Sequence, residues 1–282
     1  MDIKDLIDLS QKKLISELSE DLGGKRLAND ITSQKLLHKS QNIKCVVSNR
    51  ECIVLSGSIF VVSFLKRSFP KIKFKCFYND GDKIEKDSKL FVIEGNARMI
   101  MVFERTILNF LQHLCGISTI TKKFVTKMGK SKTTLLDTRK TVIGLRKIEK
   151  YATMIGGAKN HRMGLYDGIL IKDNHIQIIG GIEKTLERLR QKKIDNYKIE
   201  CDKFYQVKLS IDMGAKYILL DNMSVSEVKK CISIKNKKTI FEITGGITID
   251  NITKYSKLNV EFISTSKITN SSYSVDIGLD II

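Results

Sequence analysis

The 282-residue chain is short of several things. It has one proline, Pro70, and only ten of its 49 basic residues are arginine, leaving 39 lysines. No apolar run approaches the ~18–20 residues that a membrane span needs, so no membrane association is expected. The first residues, with Asp2, Lys4 and Asp5 followed by an amphipathic pattern, do not read as a secretory signal. The six cysteines, at 45, 52, 76, 115, 201 and 231, form no CxxC pair and no Cys/His spacing suited to a metal. That pattern excludes a disulfide framework and a zinc site, and it predicts reduced, buried thiols in a cytoplasmic protein. Arginine clusters interleaved with aromatics are also missing. The net charge of +18 raises the possibility of a basic nucleic-acid-binding protein. Dispersed lysine instead favours a solvated surface, and no specific nucleic-acid partner is expected.

What is present is two kinds of patterning. The first third mixes helices with alternating strands. Leu6, Leu9, Leu14 and Leu18 define a helix over 2–22, and a second helix from Ser58 stops before Pro70. Strands are expected at 43–48, 52–55, 72–76 and 90–93, with a turn at Asn79-Asp80-Gly81. A long helix over 99–115 buries Ile100, Phe103, Ile107, Phe110, Leu111 and Leu114. Arg105 lies roughly opposite that stripe, facing solvent or another subunit. From Thr133 the chain alternates strand and helix. Strands are expected at 134–136, 168–171, 198–201, 217–220, 239–243 and 261–264, with Ser224 and Glu227 as a capping box and Gly214 closing a helix. Repeated units of this kind make a parallel sheet or barrel, and six rather than eight predict an incomplete one. The last segment, 274–282, alternates again and is expected to rejoin the first sheet. The predicted fold is α/β: an N-terminal α+β sandwich domain over 1–112, an incomplete (β/α) barrel over 113–270, and a returning strand over 271–282.

In a parallel barrel, the residues that follow the strands converge on one face. Asp137, Thr138, Arg139 and Lys140 follow the first barrel strand, and His161 and Arg162 precede the second, which ends at Lys172. Glu200 and Asp221 stand at the ends of the next two. Thr244-Gly245-Gly246 follow the fifth and are expected to open a helix whose backbone N–H groups cradle a phosphate. Ser264, Thr265 and Ser266 close the sixth. One half of this mouth is cationic and suits carboxylates and phosphates. The other half offers two carboxylates, suited to sugar hydroxyls or to the waters of a phosphate-bound Mg2+.

Several motifs in order resemble the quinolinate phosphoribosyltransferase family. They are Glu20-Asp21-Leu22-Gly23, Asn79-Asp80-Gly81-Asp82, Glu104-Arg105-Thr106, Asp137-Thr138-Arg139-Lys140-Thr141, Asn160-His161-Arg162-Met163-Gly164-Leu165, Lys172-Asp173-Asn174-His175 and Leu220-Asp221-Asn222-Met223. The resemblance implies Mg2+-dependent transfer of phosphoribosyl from phosphoribosyl pyrophosphate to quinolinate, with decarboxylation, in NAD biosynthesis. It implies that Arg139, His161, Arg162 and Lys172 hold the quinolinate carboxylates. Arg105 would come from the second subunit of a homodimer. Lys140 would face the phosphates together with Thr244, Gly245, Gly246, Ser264 and Ser266. Lys140, Lys172, Glu200 and Asp221 would be the catalytic set, with Glu200 and Asp221 reaching the metal through water. Where the family commonly has Pro, Ser, Gly and His, this chain has Ile143, Thr244, Ser266 and Asn270. A paralogue acting on another heterocycle is the alternative within the same fold.

Overall fold

The computed structural model describes residues 2–282, which divide into two compact units. The first contains the chain up to Lys122, together with Lys147–Gly156 and Ser272–Ile282. Its helices are α1 (Ile3–Asp21), α2 (Ile31–Leu36), α3 (Ser58–Ser68), the first part of α4 (Ala97–Met128) and α5, assigned to Arg146–Ile155. Its strands are β1 (Asn42–Asn49), β2 (Ile53–Val54), β3 (Lys73–Cys76), β4 (Lys83–Ile84), β5 (Lys89–Asn96) and β12 (Ile277–Ile281). Strands β12, β1, β5 and β3 form an antiparallel sheet in that order, and β2 pairs with β4. The returning strand therefore lies beside β1, as the alternation at the end of the sequence predicts.

The core of this unit comes from the expected stripes. Leu14 and Leu18 of α1, Phe64 and Leu65 of α3, and Ile100, Phe103, Ile107 and Leu111 of α4 are buried with Val47, Phe91 and Ile93 of the sheet. Burying each such side chain contributes about 1.5–3 kcal/mol. Two expectations change here. The long helix does not end at Cys115 but continues to Met128. Gly116 lies inside it, where the backbone of residue 273 passes; a Cβ at Gly116 would sit 1.9 Å from the Tyr273 carbonyl oxygen. Helix α5, placed in the barrel by sequence order, belongs to the first unit. Its buried face explains why: Tyr151 packs edge-on against Phe60 at 4.9 Å, and Glu149 meets His113 at 2.9 Å.

The second unit, Lys123–Arg146 with Gly157–Ser271, holds six parallel strands. They are β6 (Thr134–Leu136), β7 (Ile169–Ile171), β8 (Tyr197–Cys201), β9 (Tyr217–Asp221), β10 (Ile240–Thr244) and β11 (Phe262–Ser264), ordered β6-β11-β10-β9-β8-β7. Helices α6 (Asp173–Ile179), α7 (Ile182–Gln191), α8 (Phe204–Asp212), α9 (Val225–Ser233) and α10 (Ile252–Ser256) connect them. The expected capping box opens α9: Glu227 N–H donates to Ser224 Oγ and Ser224 N–H to Glu227 Oε2. Edges β6 and β7 do not pair, and a single parallel bridge joins Leu136 to Lys159. The barrel is therefore incomplete, with residues 159–162 lying along the open edge of β6.

Strand alternation assigns the two faces of this sheet opposite chemistry. Ile199, Cys201, Ile218, Leu220, Phe241, Ile243 and Ile263 point one way and are fully buried. The other face carries Lys198 and Glu200 on β8, Asp221 on β9, Glu242 and Thr244 on β10 and Ser264 on β11.

In the first unit, Asp80 joins the loop after β3 to α3. Its carboxylate accepts from the backbone N–H groups of Gly57 and Ser58 at 2.9 and 2.8 Å, and from the Tyr151 hydroxyl at 2.7 Å. Asp80→Ala leaves the first turn of α3 and a half-buried hydroxyl unsatisfied. Urea unfolding should show a loss of about 2–3 kcal/mol.

Candidate active site

The polar face of the second unit brings most of the expected residues together. At its centre lies Glu242, with a side chain only 3 % exposed. One oxygen accepts from Lys198 Nζ at 2.7 Å and the other faces His161 Nε2 at 3.5 Å. The imidazole is fixed from its other side too, because Arg162 N–H donates to His161 Nδ1 at 2.8 Å. Asp137, fully buried at the end of β6, accepts from His161 N–H at 2.8 Å and from Asn160 Nδ2 at 2.7 Å. Residues 160–162 are thus tied to β6 through Asp137, and to β8 and β10 through the His161 ring.

Burial alone would raise the Glu242 pKa. The His161 imidazole and the ammonium of Lys198 outweigh it and hold the carboxyl well below its usual 4.5. Neither Lys198 nor Glu242 belongs to the set expected from sequence. Both were legible in the sequence, since each is a charged residue flanked by apolar ones within a buried strand.

The cationic wall is also assembled. Lys172, directly after β7, meets Glu200 of β8 with both carboxylate oxygens, at 2.9 and 3.2 Å. The two were expected on opposite halves of the mouth, and here they form one pair. Arg162 Nη1 donates to the Gly168 carbonyl at 2.7 Å. Desolvation and the nearby charge of Arg139 both depress the Arg162 pKa, so two guanidinium groups lie within range of mutual repulsion. The Nε atoms of Arg139 and Arg162 are buried and have no hydrogen-bond acceptor. A pair of buried guanidinium donors without acceptors is a place for an anion. A cavity of about 460 Å3 opens beside His161, Arg162, Leu170 and Lys198 and is lined also by Tyr197, Tyr217 and Phe262. It lies toward the strand starts, while Lys140, Lys172, Glu200 and Asp221 line the opposite, mouth end.

The phosphate side differs from expectation in one respect. Gly245 and Gly246 do not open a helix. Both have positive φ, +77° and +61°, and α10 starts only at Ile252. The glycines instead turn the chain so that it passes close to β9. Asn222 N–H donates to the Thr244 carbonyl at 3.0 Å, and a Cβ on Gly245 would fall 2.4 Å from Asn222 Oδ1 and 2.6 Å from Asp221 Oδ1. Lys140 is exposed, and its carbonyl accepts from Thr269 Oγ1 at 2.7 Å, which holds its loop against the turn that starts at Ser266. Ser264 is buried at the end of β11. Ser266 adopts no positive φ, so the backbone there does not demand glycine. Arg105 stands exposed on α4 of the first unit. Among the described residues no group of three or more acidic, His or Cys side chains is placed to cage a metal. Among the described residues no helix is long and apolar enough to cross a membrane.

An open barrel whose polar face gathers buried guanidinium groups, lysines and a few carboxylates defines a transferase for small polyanionic substrates. Comparison with known proteins specifies it. Residues 30–115 match the quinolinate phosphoribosyl transferase N-terminal domain and residues 117–280 its C-terminal domain. A probable carboxylating nicotinate-nucleotide pyrophosphorylase of Methanocaldococcus jannaschii is 36% identical over 98% of this chain and 99% of its own length. One from Bacillus subtilis is 34% identical over 97% and 94%. The crystal structure of the nicotinate-nucleotide pyrophosphorylase from Ehrlichia chaffeensis superimposes with a TM-score of 0.88 at 35% identity, covering 100% of this chain and 99% of that one. The chain belongs to the quinolinate phosphoribosyltransferase family, and it is a phosphoribosyltransferase of pyridine-nucleotide synthesis.

Two outcomes follow from the geometry. Gly245→Ala forces the Asp221 and Asn222 side chains aside and strains a left-handed turn by about 1 kcal/mol; steady-state kinetics should show a loss of activity well beyond the small fall in melting temperature. Glu242 has a folded pKa below its unfolded one. Its contribution to stability is therefore complete above the unfolded value of 4.5 and fades as pH falls through that value toward the depressed one. Unfolding free energies of wild type and Glu242→Gln, measured from neutral pH downward, should converge in that acid range.

Proposed function

We propose that the two carboxylates of quinolinate are held by Arg139, Arg162 and Lys172, with His161 in the same wall. The observation that carries this reading is the pair of buried Nε donors on Arg139 and Arg162 that lack acceptors. A planar diacid supplies bidentate acceptors to two forks at once. Lys172 is held by Glu200 at 2.9 Å and remains partly exposed, so an incoming carboxylate meets an ammonium already aimed.

Phosphoribosyl pyrophosphate would lie toward Lys140, Thr244, Gly245, Gly246, Ser264 and Ser266, with its ribose hydroxyls on Glu200 and Asp221. The pyridine nitrogen attacks the anomeric carbon as the bond to pyrophosphate breaks, and Lys140 balances the growing negative charge of the leaving group. The product nitrogen is cationic. It stabilises the electron pair left on the adjacent ring carbon when CO2 departs, and protonation there completes nicotinate mononucleotide. No covalent enzyme intermediate is required, and the protein contributes orientation and fixed charge.

The donor set fits a Mg2+ held mainly by pyrophosphate and water, because two carboxylates at adjacent strand ends are the usual protein share of such a site. Glu200 and Asp221 would hold it through water, and the ion would neutralise phosphate charge. Arg105 would complete the quinolinate site from the other chain of a homodimer; its exposure on α4, away from the apolar stripe, supports that reading.

Purified protein given quinolinate, phosphoribosyl pyrophosphate and Mg2+ should release CO2 and form nicotinate mononucleotide. Nicotinate, lacking the second carboxylate, should not replace quinolinate. In Arg162→Ala the KM for quinolinate should rise by at least about 10-fold, through loss of charge-assisted hydrogen bonds. Thermal stabilisation by quinolinate should disappear in the same variant. An unchanged shift would remove Arg162 from the site.

A further inference from the structure

Both ring nitrogens of His161 are engaged within the protein. Nδ1 accepts the Arg162 N–H at 2.8 Å, so its lone pair is in use and the ring proton sits on Nε2. Nε2 faces Glu242 Oε1 at 3.5 Å and lies 3.2 Å from Lys198 Nζ. An ammonium has only donors, and a protonated Nε2 cannot accept from it. Glu242, 2 % exposed, accepts from Lys198 through Oε2 and turns Oε1, a buried oxygen with no hydrogen bond, toward Nε2 at 3.5 Å. The imidazole is therefore held as a strut between β10 and the backbone of Arg162.

From this we infer that Glu242 is a positioning residue for quinolinate binding: it fixes His161 in one tautomer and orientation, His161 in turn sets the backbone that carries Arg162, and Lys198 balances the buried charge without being a ligand. The inference rests on quinolinate being bound at the Arg162 wall. It moves His161 from a carboxylate-binding cation to a part of the scaffold. It also gives a reason for a charged residue at the middle of β10, where an apolar one would pack more cheaply. The carboxylate is the acceptor that two donors from different elements require.

Steady-state kinetics of the full-length protein test this. Glu242→Gln keeps the shape of the side chain but has one acceptor for two donors. It should raise the KM for quinolinate by about 10-fold or more, while kcat and the KM for phosphoribosyl pyrophosphate stay within about 3-fold. Lys198→Met alone should leave the KM for quinolinate within about 3-fold, because Glu242 still holds His161. In the Glu242→Gln/Lys198→Met double variant the amide oxygen is free for Nε2–H, and the KM for quinolinate should recover toward wild type. Glu242→Gln with a wild-type KM for quinolinate would overturn the inference. So would equal losses for both substrates, or a Lys198→Met defect as large as that of Glu242→Gln. A measurement on the native chain stands independently of how the variants fold. Nitrogen-15 NMR of histidine-labelled protein should show a pyridine-type Nδ1 and a pyrrole-type Nε2 for His161. The opposite tautomer would sink the proposal. Wild-type protein that fails to turn over quinolinate would instead count against the substrate assignment, and the NMR result would still report on the strut.

Discussion

Charge inside a folded barrel is tolerable only when each ion has a partner of opposite sign or hydrogen bonds close by, because the desolvation of an unsatisfied ion costs several kcal/mol. That constraint organises the second unit. Its concave face carries Lys198, Glu200, Asp221 and Glu242 within strands whose other face is wholly apolar. Lys172 meets Glu200, and Lys198 meets Glu242 with His161 beside them. The exceptions are then informative. Arg139 and Arg162 keep buried donors with no protein acceptor, and they do so on the wall that a diacid would occupy. The site is where the pairing rule is left incomplete by the protein itself.

The same rule separates the two ends of the open barrel. At the mouth, side chains after the strands are half-exposed and held by backbone contacts such as Asn222 to Thr244 and Lys140 to Thr269. Deeper in, contacts run between side chains of β8, β10 and residues 160–162, where water is scarce and a hydrogen bond is worth more. The deep cluster is suited to fixing geometry. The mouth is suited to exchanging ligands.

Much of this was legible from the amino-acid order. The alternation of short apolar strands with helices after Thr133 located all six barrel strands to within a residue or so, and the residues following them gave most of the mouth. The returning strand and the Ser224–Glu227 cap were legible for the same local reasons. What escaped was decided by tertiary contact. The helix expected to end at Cys115 runs on through Gly116, which the backbone of residue 273 approaches too closely for a side chain. Residues 147–156 look like a barrel helix until Tyr151 is seen packed on Phe60 and bonded to Asp80. The Gly245-Gly246 pair resembles a helix start, yet its left-handed turn serves the approach to Asp221. Lys198 and Glu242 escaped for a different reason: they lie within strands and not at the strand ends where barrel sites gather, although alternate side chains share one face all along each strand.

The first unit is discontinuous, since its sheet takes β12 from residues 277–281 as the neighbour of β1. During synthesis the ribosome must deliver the whole intervening barrel, on the order of ten seconds of elongation, before that edge can be covered. Until then β1 exposes an open row of backbone groups to other nascent chains. Vectorial translation thus makes the barrel the part that can mature early, and it leaves the amino-terminal sheet waiting for its last-made strand.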